Sequence, residues 1–201
     1  MPTTRRAMAW FIDFGLVVAL ASLLAVLTFN RISALVTDVP ELAARGGLDL
    51  LTSRGDVLGA SGDVGQSLWN KSVLYVEQAF GLLIVVTFLY QWACLALAGR
   101  TVGKALTGLR ITPRGRGAAA RRAAVTTAAD VAVYAVACVL LIEGQWALSV
   151  LVWLVAVALF LVNALPVFGP RRRSLADRMA GTTVTGLGLS TPDAMRPVRT
   201  A

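Results

Sequence analysis

Two carboxylates stand inside apolar runs long enough to cross a membrane, and chemistry within the bilayer would have to use them. Asp13 interrupts the run from Met8 to Phe29, and Asp130 interrupts the Ala-rich run from Ala123 to Ile142. A charge at the centre of a membrane helix costs about 2.5–3.5 kcal/mol on insertion scales, so such residues need a reason to be there. At the helical rise per residue, Asp13 lies roughly 9 Å past the inner end of its helix and Asp130 roughly 12 Å past Arg122. Arg6 precedes Asp13 by seven residues and Arg122 precedes Asp130 by eight, so each acid shares a helix face with an arginine. One reading is structural, with ion pairs that fix helix depth and packing. The other is a protonatable or cation-coordinating pair in a transport pathway. Glu77, near the outer end of its span, can reach the interface and is expected to be quieter.

The remaining inventory narrows the chemistry. The chain has no histidine, the commonest proton shuttle and metal ligand. Its two cysteines, Cys94 and Cys138, fall inside spans with no metal-binding spacing and read as small packing residues. No nucleophile–base pair, metal cluster or cofactor loop is present, so the chain does not read as an enzyme and implies neither cofactor nor metal.

The elements that position these acids are membrane helices. Of 201 residues, 57% are hydrophobic and 15% charged, against about 25% charged in a soluble domain. The apolar residues collect into four runs, about 8–29, 73–98, 123–142 and 147–165, each near the roughly 20 residues a bilayer requires. In the fourth, only Asn163 is strongly polar. Arg5-Arg6 before an apolar run imitates a signal peptide, but the run is too long and contains an acid, so it reads as a retained span.

The net charge of +8 invites a nucleic-acid reading, and its distribution argues against one. Two basic residues precede the first span, seven lie between the second and third, and six follow the fourth, against four on the other side. The positive-inside rule then places both termini and the central loop in the cytoplasm. Anionic lipid headgroups at that face are the expected partners of the basic flanks. Residues 30–72 read as a mobile extracytoplasmic loop, with a short surface helix over 39–51, because Gly, Ser and Asp dominate. Glu143 to Trp146 reads as the turn of a hairpin between the last two spans, with Trp146 at the outer interface and Trp10 and Trp92 at the inner one.

Two segments outside the spans carry patterns. From Gly99 to Ile111, Gly99, Gly103 and Gly108 break the helix and allow close backbone approach. Gly103-Lys104 has the wrong spacing for a phosphate loop, with no following Ser or Thr and no preceding strand. Leu109–Thr112 reads as a short strand. Near the C-terminus, Leu175 and Met179 oppose Asp177 and Arg178 on an amphipathic turn, followed by Gly181 and a β-prone run. Because a lone strand is unstable, Thr182–Thr185 is predicted to pair with Leu109–Thr112. The predicted fold is an all-α membrane protein with four transmembrane helices, cytoplasmic N- and C-termini and a short two-stranded β element on the cytoplasmic side. Residues 1–189 form the membrane domain and 190–201 a flexible cytoplasmic tail.

Taken in order, these segments resemble the RDD family of bacterial multi-pass membrane proteins. Arg6-Ala-Met-Ala9 with Ile12-Asp13 matches its first element, Gly99-x-Thr101-x-Gly103-Lys104 with Gly108-Leu109-Arg110 its central loop, and Leu175-x-Asp177 with Ala180-Gly181-Thr182-x-Val184 its closing element. The resemblance implies that Arg6, Asp13 and Asp177 are the residues for which the family is named. Ala176 stands where the family often has histidine, which weakens a proton-transfer role at Asp177. The resemblance also implies residence in the bacterial plasma membrane. Some members are described as cation/proton antiporters, and others accompany unrelated membrane systems. The functions to weigh are therefore monovalent cation/proton exchange through intramembrane carboxylates and a non-catalytic scaffold within a larger membrane complex. Four spans are few for alternating access, so exchange would imply a homo-oligomer.

Overall fold

The computed structural model describes residues 3–37, 57–112, 115–165 and 174–186. The surface helix expected over 39–51 and the tail expected from 190 lie outside them.

Among the described residues, four helices are long and apolar enough to cross a membrane, covering Thr4–Thr37, Gly65–Ala98, Arg116–Ile142 and Trp146–Ala164. The first, α1 (Thr3–Thr37), packs along α2 (Val57–Ala93), which continues as a π-helical turn over Cys94–Ala98. After α3 (Val102–Leu106) and β1 (Leu109–Thr112), the third span forms from α4 (Arg116–Thr127), a second π-helical turn (Ala128–Ala132) and α5 (Val133–Ile142). The fourth is α6 (Trp146–Ala164), and α7 (Leu175–Ala180) and β2 (Thr183–Gly186) close the chain.

Residues 30–37 and 57–72 are helical, which corrects the reading of 30–72 as a continuous loop. Extending a helix from an anchored span avoids the costly nucleation step, so Gly and Ser are tolerated there. Local bonds assist: Ser72 Oγ donates to the Leu68 carbonyl at 2.8 Å, and the Gln66 amide donates to Asn70 at 2.9 Å. The Arg31 guanidinium sits 5.7 Å from the Tyr75 ring centroid, joining α1 to α2 beyond the bilayer-length core.

The hairpin of the third and fourth spans forms as expected. Gly144 adopts φ +79° in the turn, and the Gln145 N–H donates to the Leu140 carbonyl at 2.8 Å. Within the bundle, Ser149 Oγ donates to the Ala137 carbonyl at 2.6 Å. Buried Ala135, Ala137 and Ala156 let α5 and α6 approach closely, the usual basis of helix packing in lipid.

At one end the three basic segments meet. Strands β1 and β2 pair antiparallel, with Leu109 opposite Gly186 and Ile111 opposite Val184. The predicted pairing is present, its second strand displaced by one residue so that Thr182 is free for other bonds. The Ile111 N–H donates to the Gly99 carbonyl at 3.1 Å, fastening β1 to the end of the second span. Leu95, Ile111 and Ala119 form a small core there, with Trp92 packed against it.

Candidate functional site

Asp13 is held from several sides by the central loop. The Gly103 N–H donates to Asp13 Oδ1 at 2.8 Å, the Thr101 hydroxyl donates to Oδ2, and Lys104 Nζ lies 3.4 Å from Oδ2. Tyr90 Oη reaches Oδ1 at 3.5 Å and accepts the Val102 N–H at 3.3 Å. Asp13 and Tyr90 thereby each accept one opening N–H of α3, from Gly103 and Val102 respectively, which no side chain of α3's own N-cap does. Gly103 is obligatory in this arrangement. A Cβ there would overlap the Ala9 carbonyl oxygen and approach Asp13 Cγ to 2.9 Å. Burial pushes the Lys104 ammonium below the ordinary lysine range, opposed by the Asp13 charge.

Asp177 is the centre of a second, buried network. It completes a capping box with Ser174, whose backbone N–H donates to Oδ2 at 3.1 Å and whose hydroxyl does so at 3.0 Å. Arg122 forms an ion pair with Oδ1 and donates to Thr182 Oγ1 at 2.7 Å. Arg122 is 7% exposed and Asp177 5%, so this pair is removed from water and completed by hydroxyl and backbone groups. The amphipathic turn departs from expectation at two positions, Asp177 being buried and Met179 exposed, while Leu175 is half-buried and Arg178 exposed as expected. Gly181, at φ +64°, ends α7 and turns the chain into β2.

The arginine assignments also change. Asp13 takes its ion pair from Lys104, and Arg122 serves Asp177 rather than Asp130. Arg6 Nη2 donates to the Val184 carbonyl at 2.7 Å, tying α1 to β2. A shared helix face was insufficient because the central loop and the closing segment bring shorter-range partners to each group. Asp130 instead accepts the Asn163 amide at 3.0 Å from the facing span. It lies in the π-helical turn, a distortion that often marks functional positions.

These groups surround one cavity of about 100 Å³ at the charged end of the bundle. Arg6, Asp13, Lys104, Arg122, Asp130 and Asp177 all line it. Gly99, Gly103, Gly108, Arg110, Leu175, Gly181 and Thr182 are not among its lining residues. Gly108, at φ +67°, turns the chain into β1, where Arg110 lies opposite Thr185. Trp10, expected at the interface, stacks on Phe14 with centroids 5.2 Å apart and contacts Phe160 at 5.7 Å. Among the described residues, no group of three or more His, Cys, Asp or Glu is placed to hold a metal.

Asn163, Ser174 and Tyr90 were not singled out from sequence as site residues. Asn163 carried a signal as the polar exception of its span, and Ser174-Leu-Ala-Asp177 is a legible capping pattern. Tyr90 carried none.

The order of segments around this cavity agrees with a family match. The RDD family profile covers residues 2–181. This chain belongs to the RDD family. Membership and the four spans support a multi-pass protein of the bacterial plasma membrane. Comparison with curated proteins and with solved structures gave no match.

Proposed function

We propose that this RDD protein exchanges protons for monovalent cations through Asp130, while Asp13 and Asp177 hold the charged end together. The observation that carries the reading is the partner of each acid. Of the three cavity-lining aspartates, Asp13 and Asp177 are ion-paired, whereas the described partner of Asp130 is the neutral amide of Asn163. Breaking a buried ion pair costs roughly 3–5 kcal/mol. A carboxylate with only an amide partner can gain and lose a proton or a cation without that cost. The alternative of a non-catalytic scaffold draws support from the same networks, since two acids act as cross-links between segments.

Proton flux in liposomes driven by a sodium or potassium gradient tests exchange, with parent, Asp130→Asn and Asp13→Asn proteins compared. The expected result is flux in the parent and none in folded Asp130→Asn. Asp13→Asn is expected to lose stability first and to retain flux where it remains folded. A folded parent without flux would remove exchange as an activity of the isolated chain.

A further inference from the structure

The wall beside Asp130 has a composition that a bare inorganic cation does not need. Asn163 is 6% exposed, and its Oδ1 is buried without a hydrogen-bond partner while its amide serves Asp130. A buried, unsatisfied acceptor on a residue that lines the cavity calls for a donor. Two oxygen-bearing residues, Asp130 and Asn163, thus offer acceptors on one side. Hard cations such as calcium or magnesium take six or more oxygen ligands, many more than this pair supplies.

The opposite requirement is met by the aromatic residues. Trp10, Phe14 and Val17 line the same cavity. Phe160, one helical turn before Asn163 on α6, packs 5.7 Å from Trp10 and 6.0 Å from Phe14 between ring centroids. Aromatic faces attract cationic charge, the indole face best, and also pack against the carbon of an organic cation, which a bare ion lacks. Apolar surface beside convergent polar groups is the usual form of a site for an organic ligand, and the cations that also line the cavity, Arg6, Lys104 and Arg122, engage Val184, Asp13 and Asp177 rather than Asp130. The volume of about 100 Å³ is below the roughly 150 Å³ of a cavity that accepts benzene, which restricts the ligand to a few heavy atoms.

We propose that the cavity binds a small primary organic ammonium ion, its N–H groups donated to the Asp130 carboxylate and Asn163 Oδ1 and its carbon chain against Trp10 and Phe14. This rests on the reading of Asp130 as the exchangeable carboxylate and names its ligand class. The charge satisfies Asp130, and the N–H groups satisfy the orphaned amide oxygen. Asn163 selects for a hydrogen-bond donor, and Trp10 selects against a fully hydrated ion.

The test is calorimetric titration of the purified full chain in detergent with propylammonium chloride, in an amine-free phosphate buffer, beside sodium chloride and the neutral analogue 1-propanol. Saturable binding of propylammonium is expected, weakened at least tenfold in Asp130→Asn and several-fold in Asn163→Leu. Circular dichroism confirms that each variant is folded, and either variant suffices if the other is not. Absence of saturable propylammonium binding to the folded parent would overturn the proposal. So would an equal response to 1-propanol, which would mark an apolar cavity only, or equally tight sodium binding. Affinity unchanged in both folded variants would also overturn it, because binding would then lie elsewhere. Binding without proton flux in liposomes would keep the ammonium site and remove exchange. Flux without binding would do the reverse.

Discussion

A methyl group has no place at Gly103, because the Ala9 carbonyl and the Asp13 carboxylate already occupy the position a Cβ would take. Gly103→Ala is expected to destabilise the protein by about 1–3 kcal/mol, as overpacking does, and to lower its melting midpoint in detergent. An unchanged midpoint would mean that α3 can move away from α1 freely. For the buried pair, Arg122→Ala is expected to cost about 3–5 kcal/mol, with part of the loss recovered when Asp177 is made apolar as well. A double variant no more stable than the single one, by the same melts, would contradict that coupling. Lys104 gives a signed pH effect. Burial holds its folded-state pKa below the unfolded lysine value of 10.5, with Asp13 and Asp177 opposing the shift and Arg122 reinforcing it. Between the two values the unfolded chain binds more protons, so stability rises with pH across that window. The rise is expected to vanish in Lys104→Met, and melts recorded at increasing alkaline pH would show whether it does. At this scale the sequence displayed the acids, because charge in an apolar run is conspicuous. It did not display their partners, because Lys104 is 91 residues from Asp13 and Arg122 is 55 from Asp177.

Secondary elements were legible where a period or a bilayer length marked them. The last hairpin and the pairing of the 109–112 strand followed from alternation, turn residues and the instability of a lone strand. The extensions of α1 and α2 did not, because Gly59, Gly62 and Gly65 suggest a loop when read locally, whereas a helix already anchored in a span continues through them. Gly65→Pro is therefore expected to disrupt helix around 57–68 while leaving the apolar run from Val73 onward helical, since proline in a helix interior costs about 3 kcal/mol. Hydrogen exchange measured by mass spectrometry should show protection lost in that segment alone. Unaltered protection would argue that the segment is not helical in the membrane. Neither π-helical turn was foreseen, because an extra residue in a helical turn leaves little trace in an apolar, Ala-rich sequence.

The molecule as a whole is polarised, with its charged networks gathered at one end and the α1–α2 extensions at the other. The positive-inside rule predicts that the charged end faces the cytoplasm. In a variant with Cys94 and Cys138 replaced, a cysteine introduced at Ser67 is expected to react with a membrane-impermeant maleimide in intact cells. One introduced at Thr4 is expected to react only after lysis. The opposite pattern would invert the protein and put the cavity on the other face of the membrane. Fold class was readable because bilayer thickness acts on the entire chain, and charge asymmetry supplies the orientation that this labelling tests. The cavity was not, since its wall is assembled from all four spans and from two segments outside them.

The contact between Arg6 and Val184 joins residues 178 positions apart, which imposes a schedule on biogenesis. At about 5–20 residues per second, Arg122 waits roughly 3–11 s after its own synthesis before Asp177 is made. During that interval β1 has an open edge, and the third span carries a buried-face arginine with no counter-ion. A nascent chain of this kind reaches its finished state only in a late closing step, and stalling before residue 177 would leave an inserted but unlocked bundle for quality-control proteases to find.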